Sequence, residues 1–158
     1  MKNLRKIFFL FILSILCTSC IKDNSQIQIV FIKPYKNNFY YETVNRKIEN
    51  KENKLKQAII YLLEGVNQEE KQKNLTSEIP MNTHLLNFEE KKNKIFIDLS
   101  SDFTKGGGSI SMLVRLQQLI KTIKISKPEG KEVFLLIEGK KIVYIGGEGI
   151  TIDNPIIE

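Results

Sequence analysis

The sequence has little of what catalytic and metal sites most often use. Its 158 residues include one histidine, His84, no tryptophan and only two cysteines, Cys17 and Cys20. Because both cysteines lie in the first twenty residues, the rest of the chain has no internal disulfide, thiolate nucleophile or cysteine metal site. A single histidine without a cysteine partner makes a weak metal site. We therefore predict no catalytic residue, no metal site and no cofactor, and we expect that the protein is not an enzyme.

Two aspartates leave one catalytic alternative open. Asp98 and Asp102 are four positions apart and could form an acid–base pair. A predicted strand ends between them, however, and Asp98 alternates with Ile97 and Leu99 and so faces away from both. Nothing in this spacing brings the two carboxylates together, and a turn-capping role is favoured.

Arginine is also scarce, since 21 of the 24 basic residues are lysine. The formal net charge of +6 falls to about +3 once Lys2, Arg5 and Lys6 at the start of the chain are set aside. The sequence has no arginine cluster and no aromatic residues spaced through a basic strip, which are the features of nucleic-acid binding. We therefore expect no nucleic-acid partner.

The first twenty residues, MKNLRKIFFLFILSILCTSC, have the layout of an export signal. A positively charged start precedes an apolar run over residues 7–16, which is too short for a comfortable membrane span. The ending, two small hydroxyl residues followed by Cys20, resembles a bacterial lipobox. In that motif the cysteine becomes the new N-terminus and carries the lipid, palmitate included. An uncleaved signal anchor is the alternative, and it also places the domain outside the cytoplasmic membrane.

These observations divide the chain into three parts. Residues 1–20 are expected to be a lipoprotein signal peptide with Cys20 as the lipidation site, residues 21–26 a tether, and residues 27–158 one domain. We expect the protein to be exported and lipid-anchored, either to the outer face of the cell membrane or to the outer membrane. Several acyl chains would anchor it stably.

Hydrophobic periodicity predicts two helices and several strands in the domain. A one-faced helix is predicted from Leu55, Ala58, Ile59, Leu62 and Leu63, with Gly65 as its C-cap. The strands are predicted at 27–32, 39–46, 84–88, 94–99, 132–138 and 141–145, and the apolar tail 150–157 could add one more pairing.

The connections are predicted from turn and capping residues. A second helix spans about 110–125, with Ser109 as a good N-cap. Residues 66–82 read as a polar loop, and Gly139-Lys140 suits a type II′ hairpin turn. From the second strand onward the order is β-α-β-β-α-β. We therefore predict an α+β two-layer sandwich with a split βαβ core of the ferredoxin-like or ring-building type, flanking hairpins and two helices on one sheet face.

The segment DLSSDFTKGGGSI, residues 98–110, has the outline of a phosphate-binding loop but fails its motif. A Walker loop requires lysine and then Ser or Thr after the last glycine, whereas Lys105 precedes the glycines here. The dinucleotide pattern is missed as well. The glycines are better explained by backbone freedom where a strand end leads into a helix, although any helix N-terminus can attract an anion weakly.

Read together, these segments resemble the GerMN domain. The upstream helix fits with Leu62-Leu63-Glu64-Gly65, although the Lys-rich loop 66–74 departs from the family's compact turn. The ordered set of motifs that carries the resemblance is Ile79-Pro80, Leu85-Leu86, Ile97-Asp98-Leu99-Ser100, Phe103, Gly107-Gly108-Ser109, Glu138-Gly139-Lys140 and Gly146-Gly147.

The resemblance implies an extracytoplasmic, often lipid-anchored α+β module of the cell envelope, known from sporulation and germination proteins, with no associated catalysis. We expect a non-catalytic interaction or assembly module that binds an envelope protein and the membrane through its lipid. A domain that binds a small ligand or a wall polymer is the alternative. The family motif supplies candidate ligand residues without an assigned role: Asp98, Gly107, Gly108, Ser109, Gly146 and Gly147.

Overall fold

A computed structural model of the chain describes residues 26–48, 53–127, 129–145 and 150–158. The expected lipidation site Cys20, the signal peptide and most of the tether lie outside the described residues, as do Gly146 and Gly147. The elements in chain order are β1 (Gln26–Tyr35), β2 (Asn38–Lys47), α1 (Lys54–Leu63), α2 (Gln68–Gln72), β3 (Leu85–Glu90), β4 (Lys94–Leu99), a 3-10 turn (Ser101–Thr104), α3 (Ser109–Ser126), β5 (Glu132–Ile137), β6 (Lys140–Lys141), β7 (Tyr144–Ile145) and β8 (Ile150–Thr151).

The first two strands form the long antiparallel hairpin that the sequence predicts. Their register runs from the pair Gln26–Lys47 to the pair Tyr35–Asn38, and Lys36 takes a positive φ of 53° in the two-residue turn. Ile29 and Phe31 point into the core and are fully buried. The hairpin therefore places one strand in the core and leaves β2 outside it.

Helix α3 and the segment before β3 close the outer edge of β1. The Val30 N–H donates to Thr122 Oγ1 at 3.0 Å, and Gln118 Nε2 donates to the Val30 carbonyl at 3.3 Å. Ile32 forms a two-hydrogen-bond bridge with Thr76. Buried backbone groups need hydrogen-bond partners. At Val30 these partners are side chains of α3, in the place where a neighbouring strand would otherwise supply backbone groups.

The second sheet has the strand order β3-β4-β5-β6. Strands β4 and β5 are parallel neighbours connected through α3, and the other two pairings are antiparallel. Ile95, Ile97 and Leu99 alternate toward the core, in the period-two pattern expected for a strand with one buried face. Helices α1 and α3 pack against each other and against β1, and they share one hydrophobic core with β4 and β5.

The α+β class is confirmed, and the strand pairing differs from the split βαβ order expected from the sequence. In that order β2 would lie in one sheet beside β4. Instead β2 pairs with β1, and β4 pairs directly with β5. The physical reason is that the tight hairpin gives β2 a complete local partner, while α3 and Thr76 occupy the other edge of β1.

Local structure corrects three further expectations. The N-cap of α3 is Gly108, which makes no side-chain capping bond, so the Ser109 cap is wrong. The β5–β6 turn is centred on Glu138 and Gly139, with φ of 51° and 75°. Positive φ at both positions is type I′ geometry, not type II′. The strand expected at 141–145 is divided into β6 and β7.

The polar loop at 66–82 contains a short helix, α2, that the sequence analysis missed. Asn67 accepts from the Glu70 N–H, and the Glu70 carboxylate accepts from the Asn67 N–H, which together form a capping box. The spacing N-x-x-E is the sequence signal that could have revealed it. The C-terminal tail adds a further pairing, as the sequence suggested, and its partner is β5, through a bridge between Val133 and Ile157.

Candidate functional site

The motif segment between β4 and α3 is a 3-10 turn followed by a glycine loop. Gly106 and Gly107 have φ of 67° and 78°, in the left-handed region that favours glycine. A Cβ on Gly107 would lie 2.5 Å from Ser111 Oγ. Gly107 is therefore required both by backbone conformation and by the close approach of the first turn of α3.

The carbonyl groups of this loop surround the buried guanidinium of Arg115. Arg115 Nη1 donates to the Phe103 and Lys105 carbonyls at 2.6 and 3.1 Å, and Nη2 donates to the Gly106 carbonyl at 3.3 Å. Arg115 Nε donates to the Glu78 carbonyl at 2.9 Å. Only 3% of the Arg115 surface is exposed. We refer to these four acceptors as the carbonyl cage.

The electrostatics of the carbonyl cage explain how a cation is tolerated there. Burial lowers the pKa of Arg115, and the nearby Glu78 carboxylate acts in the opposite direction. Carbonyl dipoles point their negative ends at the guanidinium and replace the water that it loses. The loop is therefore arranged around a positive charge, the reverse of the phosphate cradle that its glycines suggest.

The two candidate aspartates hold different turns. Asp98 Oδ1 accepts from the Gly139 N–H at 2.9 Å and so fixes the β5–β6 turn. Asp102 pairs with Lys105 at 3.0 Å. Glu138, beside Gly139, accepts from the Ser101 N–H at 2.8 Å. The described hydrogen bonds do not bring Asp98 and Asp102 together, and each carboxylate has the turn-stabilising geometry that the sequence analysis favoured.

Of the motif residues that the structure describes, Gly107, Gly108 and Ser109 form no hydrogen bond with Asp98, whose described partner is the Gly139 N–H. Gly107 and Gly108 are exposed, and Ser109 is half-buried at the first position of α3. His84 is exposed at the start of β3, with its backbone N–H held by Ser100 Oγ at 3.0 Å. Among the described residues no group of three or more His, Cys, Asp or Glu side chains could hold a metal ion.

A groove that the sequence analysis missed lies between α1 and the start of β3. It has a volume of about 410 Å³, within the range of small-ligand and peptide pockets. Its lining combines four aliphatic residues with four polar ones: Ile60, Leu63, Met81, Leu85, Lys56, Glu64, Thr83 and His84. We call it the α1–β3 groove. No short motif could reveal it, because its two walls come from separate segments of the chain.

The tip of the β1–β2 hairpin exposes three aromatic side chains. Tyr35 is 58% exposed, Phe39 37% and Tyr40 46%. Lys36 lies over the Tyr35 ring, with its Nζ 5.2 Å from the ring centroid. Aromatic residues are more frequent at protein–protein interfaces than on the rest of the protein surface. We call Tyr35, Phe39 and Tyr40 the aromatic tip.

Within residues 26–48, 53–127, 129–145 and 150–158, no helix has both the length and the apolar character needed to cross a membrane.

Comparison with known proteins identifies a family. Residues 28–143 match the family model described as sporulation and spore germination. Among curated protein sequences, none matches the chain.

Solved structures share the fold. The tandem GerMN domains of the sporulation protein GerM from Bacillus subtilis are 17% identical, with a TM-score of 0.66 over 90% of this chain. This chain spans about half, 49%, of that structure. The first GerMN domain of the same protein is 18% identical, with a TM-score of 0.65, 84% coverage of this chain and 97% of that one. A candidate lipoprotein from Clostridium perfringens is 20% identical, with a TM-score of 0.51 and coverages of 77% and 80%.

Proposed function

Since the chain belongs to the sporulation and spore germination family of domains, we propose that it is an exported lipoprotein whose GerMN-type domain binds another envelope protein without catalysis. Residues 1–20 would be removed as the signal peptide, Cys20 would carry the lipid, and residues 21–26 would tether the domain. No cofactor or nucleic acid takes part. Resemblance in fold to a candidate lipoprotein from Clostridium perfringens supports the anchored, extracytoplasmic location.

The observation that carries the interaction role is the aromatic tip. Its rings are exposed to solvent at the turn end of a hairpin of two ten-residue strands. Tyrosine and phenylalanine bury much apolar area on association at a low cost in side-chain entropy. Ligand binding at the glycine loop has no comparable support, because the loop carbonyls contact Arg115.

Lipidation gives a direct prediction. Cys20→Ser is expected to abolish lipid labelling and to leave the signal peptide attached, because the lipoprotein route requires the cysteine sulfur. Labelled palmitate incorporation and intact mass measure both effects. Cys17→Ser is the matched control and is expected to keep lipid and cleavage. An unchanged mass and unchanged membrane retention in Cys20→Ser would show that Cys20 is not the anchor.

The aromatic tip gives a second prediction. A photo-crosslinking amino acid in place of Tyr35 is expected to yield a discrete protein adduct in intact membranes, and Tyr40→Ser in the same chain is expected to reduce that adduct severalfold. The control position is Lys92, which is exposed in the β3–β4 turn. Equal adducts from both positions, or none from Tyr35, would contradict binding at the tip.

A further inference from the structure

We infer that the α1–β3 groove binds an extended peptide segment of a partner protein. The segment places an aliphatic side chain in the groove, with an acidic residue on one side of it and a basic residue on the other. This inference rests on the proposed interaction role and gives the partner's chemistry. It concerns a surface different from the aromatic tip, so the two can succeed or fail separately.

The apolar part of the groove selects the central side chain. Ile60, Leu63 and Leu85 contribute aliphatic surface, and Met81, 85% exposed, stands at the rim. Methionine is flexible and can repack over an incoming group. The lining residues that the structure describes include no aromatic ring on which a sugar or a planar base could stack. An aliphatic side chain therefore fits this lining better than a ring does.

The two charged side chains at the rim, Lys56 and Glu64, do not stabilise helix α1, which carries them. Lys56 lies in the first turn of α1 and Glu64 is its C-cap residue. A cation near a helix N-terminus and an anion near its C-terminus both oppose the helix dipole. Neither side chain forms an ion pair with another residue that the structure describes. Two unfavourable, unpaired charges on either side of an apolar groove point to a ligand of complementary charge.

The spacing of these charges sets the register of the peptide. Lys56 and Glu64 are eight positions apart on one helix, which is about 12 Å along its axis. An extended chain rises about 3.3 Å per residue, so the matching charges on a peptide are about four residues apart. In an extended segment, alternate side chains share one face. An acidic, an aliphatic and a basic residue at positions 1, 3 and 5 therefore face the groove together.

Thr83 adds a polar group that lacks a partner. The residue is 3% exposed, and within the described chain its Oγ1 is the buried side-chain polar atom without a hydrogen bond. Its backbone N–H is already used, donating to the Pro80 carbonyl at 2.9 Å. A buried hydroxyl without a partner is unfavourable. Thr83 belongs to the lining of the groove, so a peptide backbone bound there would supply the missing N–H or carbonyl group.

The test measures binding of end-blocked fluorescent pentapeptides to the full-length chain in detergent micelles. The probes are Glu-Gly-Leu-Gly-Lys, the two like-charged versions with Glu or Lys at both ends, and a version with serine in place of leucine. Wild type is expected to prefer the mixed-charge peptide, and the serine peptide should bind about tenfold more weakly. Lys56→Glu should shift preference to the peptide with two lysines, and Glu64→Lys to the one with two glutamates, each by about three- to fivefold.

Matched controls separate specific from general charge effects. Lys92→Glu and Glu129→Lys make the same charge changes at exposed positions that do not line the groove and should leave every preference unchanged. Thr83→Val should weaken the mixed-charge peptide about fivefold without lowering the melting temperature, because it removes an unpartnered hydroxyl.

Three results would overturn the inference: equal binding of the leucine and serine peptides, equal shifts from Lys56→Glu and Lys92→Glu, or no binding of any probe. Tyr40→Ser should not affect peptide binding. If the Tyr35 adduct is absent but the peptides bind, partner binding at the aromatic tip is refuted and peptide binding in the groove is retained. If the adduct forms but no peptide binds, only peptide binding in the groove is refuted.

Discussion

Arg115→Met is expected to lower the free energy of unfolding by about 3–5 kcal/mol. The substitution keeps most of the apolar stem but leaves the carbonyl cage, formed by Glu78, Phe103, Lys105 and Gly106, without its donor. Buried carbonyls that lose a charged donor keep their desolvation cost and gain nothing in return. Urea unfolding followed by tyrosine fluorescence and far-UV circular dichroism measures the loss.

Arg115→Lys separates charge from shape. Lysine keeps the positive charge, but its compact ammonium group cannot match the fork geometry that serves four acceptors in different directions. We expect it to recover less than half of the lost stability. Lys124→Met, on an exposed position of the same helix, is the control and should change stability by less than about 0.5 kcal/mol. An Arg115→Met protein as stable as this control would refute the structural role of the cage.

Arg46→Met is expected to have an effect of similar size, about 3–5 kcal/mol. Arg46 Nε and Nη2 donate to the two carboxylate oxygens of Glu70 at 2.9 and 2.6 Å. The same guanidinium donates to the carbonyls of Tyr61 and Gly65, at the end of α1. Glu70 is 4% exposed, so removal of Arg46 leaves a buried carboxylate without its cation. Replacing both residues, as Arg46→Met with Glu70→Leu, should cost less than the single change.

The Arg46–Glu70 pair also predicts a pH dependence. Burial raises the pKa of Glu70, but hydrogen bonds from Arg46 and from the Asn67 N–H outweigh it and lower the pKa overall. A lowered folded-state pKa stabilises the protein above the unfolded value, about 4.3, and this contribution is lost as pH falls through the folded pKa. Between pH 5 and pH 3, wild type should therefore lose more stability than Glu70→Gln. Parallel losses in the two proteins would contradict the assignment to Glu70.

Elements with a local pattern were predicted well from the sequence. The spacing of Leu55, Ala58, Ile59, Leu62 and Leu63 places all five on the buried face of α1, and all five are buried in the structure. The alternation in β4 likewise matches its bounds, Lys94–Leu99. In both cases one face of the element packs against the core, so its hydrophobic residues recur with the period of a helix or a strand.

Long-range pairing and the sites depended on contacts that local patterns do not encode. The hairpin turn makes β1 the partner of β2, and Gln118 and Thr122, far along the chain, occupy the other edge of β1. The α1–β3 groove is assembled from residues 56–64 and 81–85, which share no motif. One signal was available: in a lysine-rich chain, the two arginines that the structure describes, Arg46 and Arg115, each donate to several acceptors through one guanidinium. Arginine is used where several acceptors in a plane must be reached, a task that lysine performs poorly.

The closed edge of β1 has a consequence for the newly made chain. The hairpin ends at residue 47, but the groups that cover the outer edge of β1 include Gln118 and Thr122 of α3. At a synthesis rate of roughly 5–20 residues per second, Thr122 emerges about 4–15 s after the hairpin. During that interval the stretch Ile27–Ile32 offers unpaired backbone and apolar side chains to other chains. The completion of α3, late in synthesis, ends the period in which this chain is most exposed to aggregation.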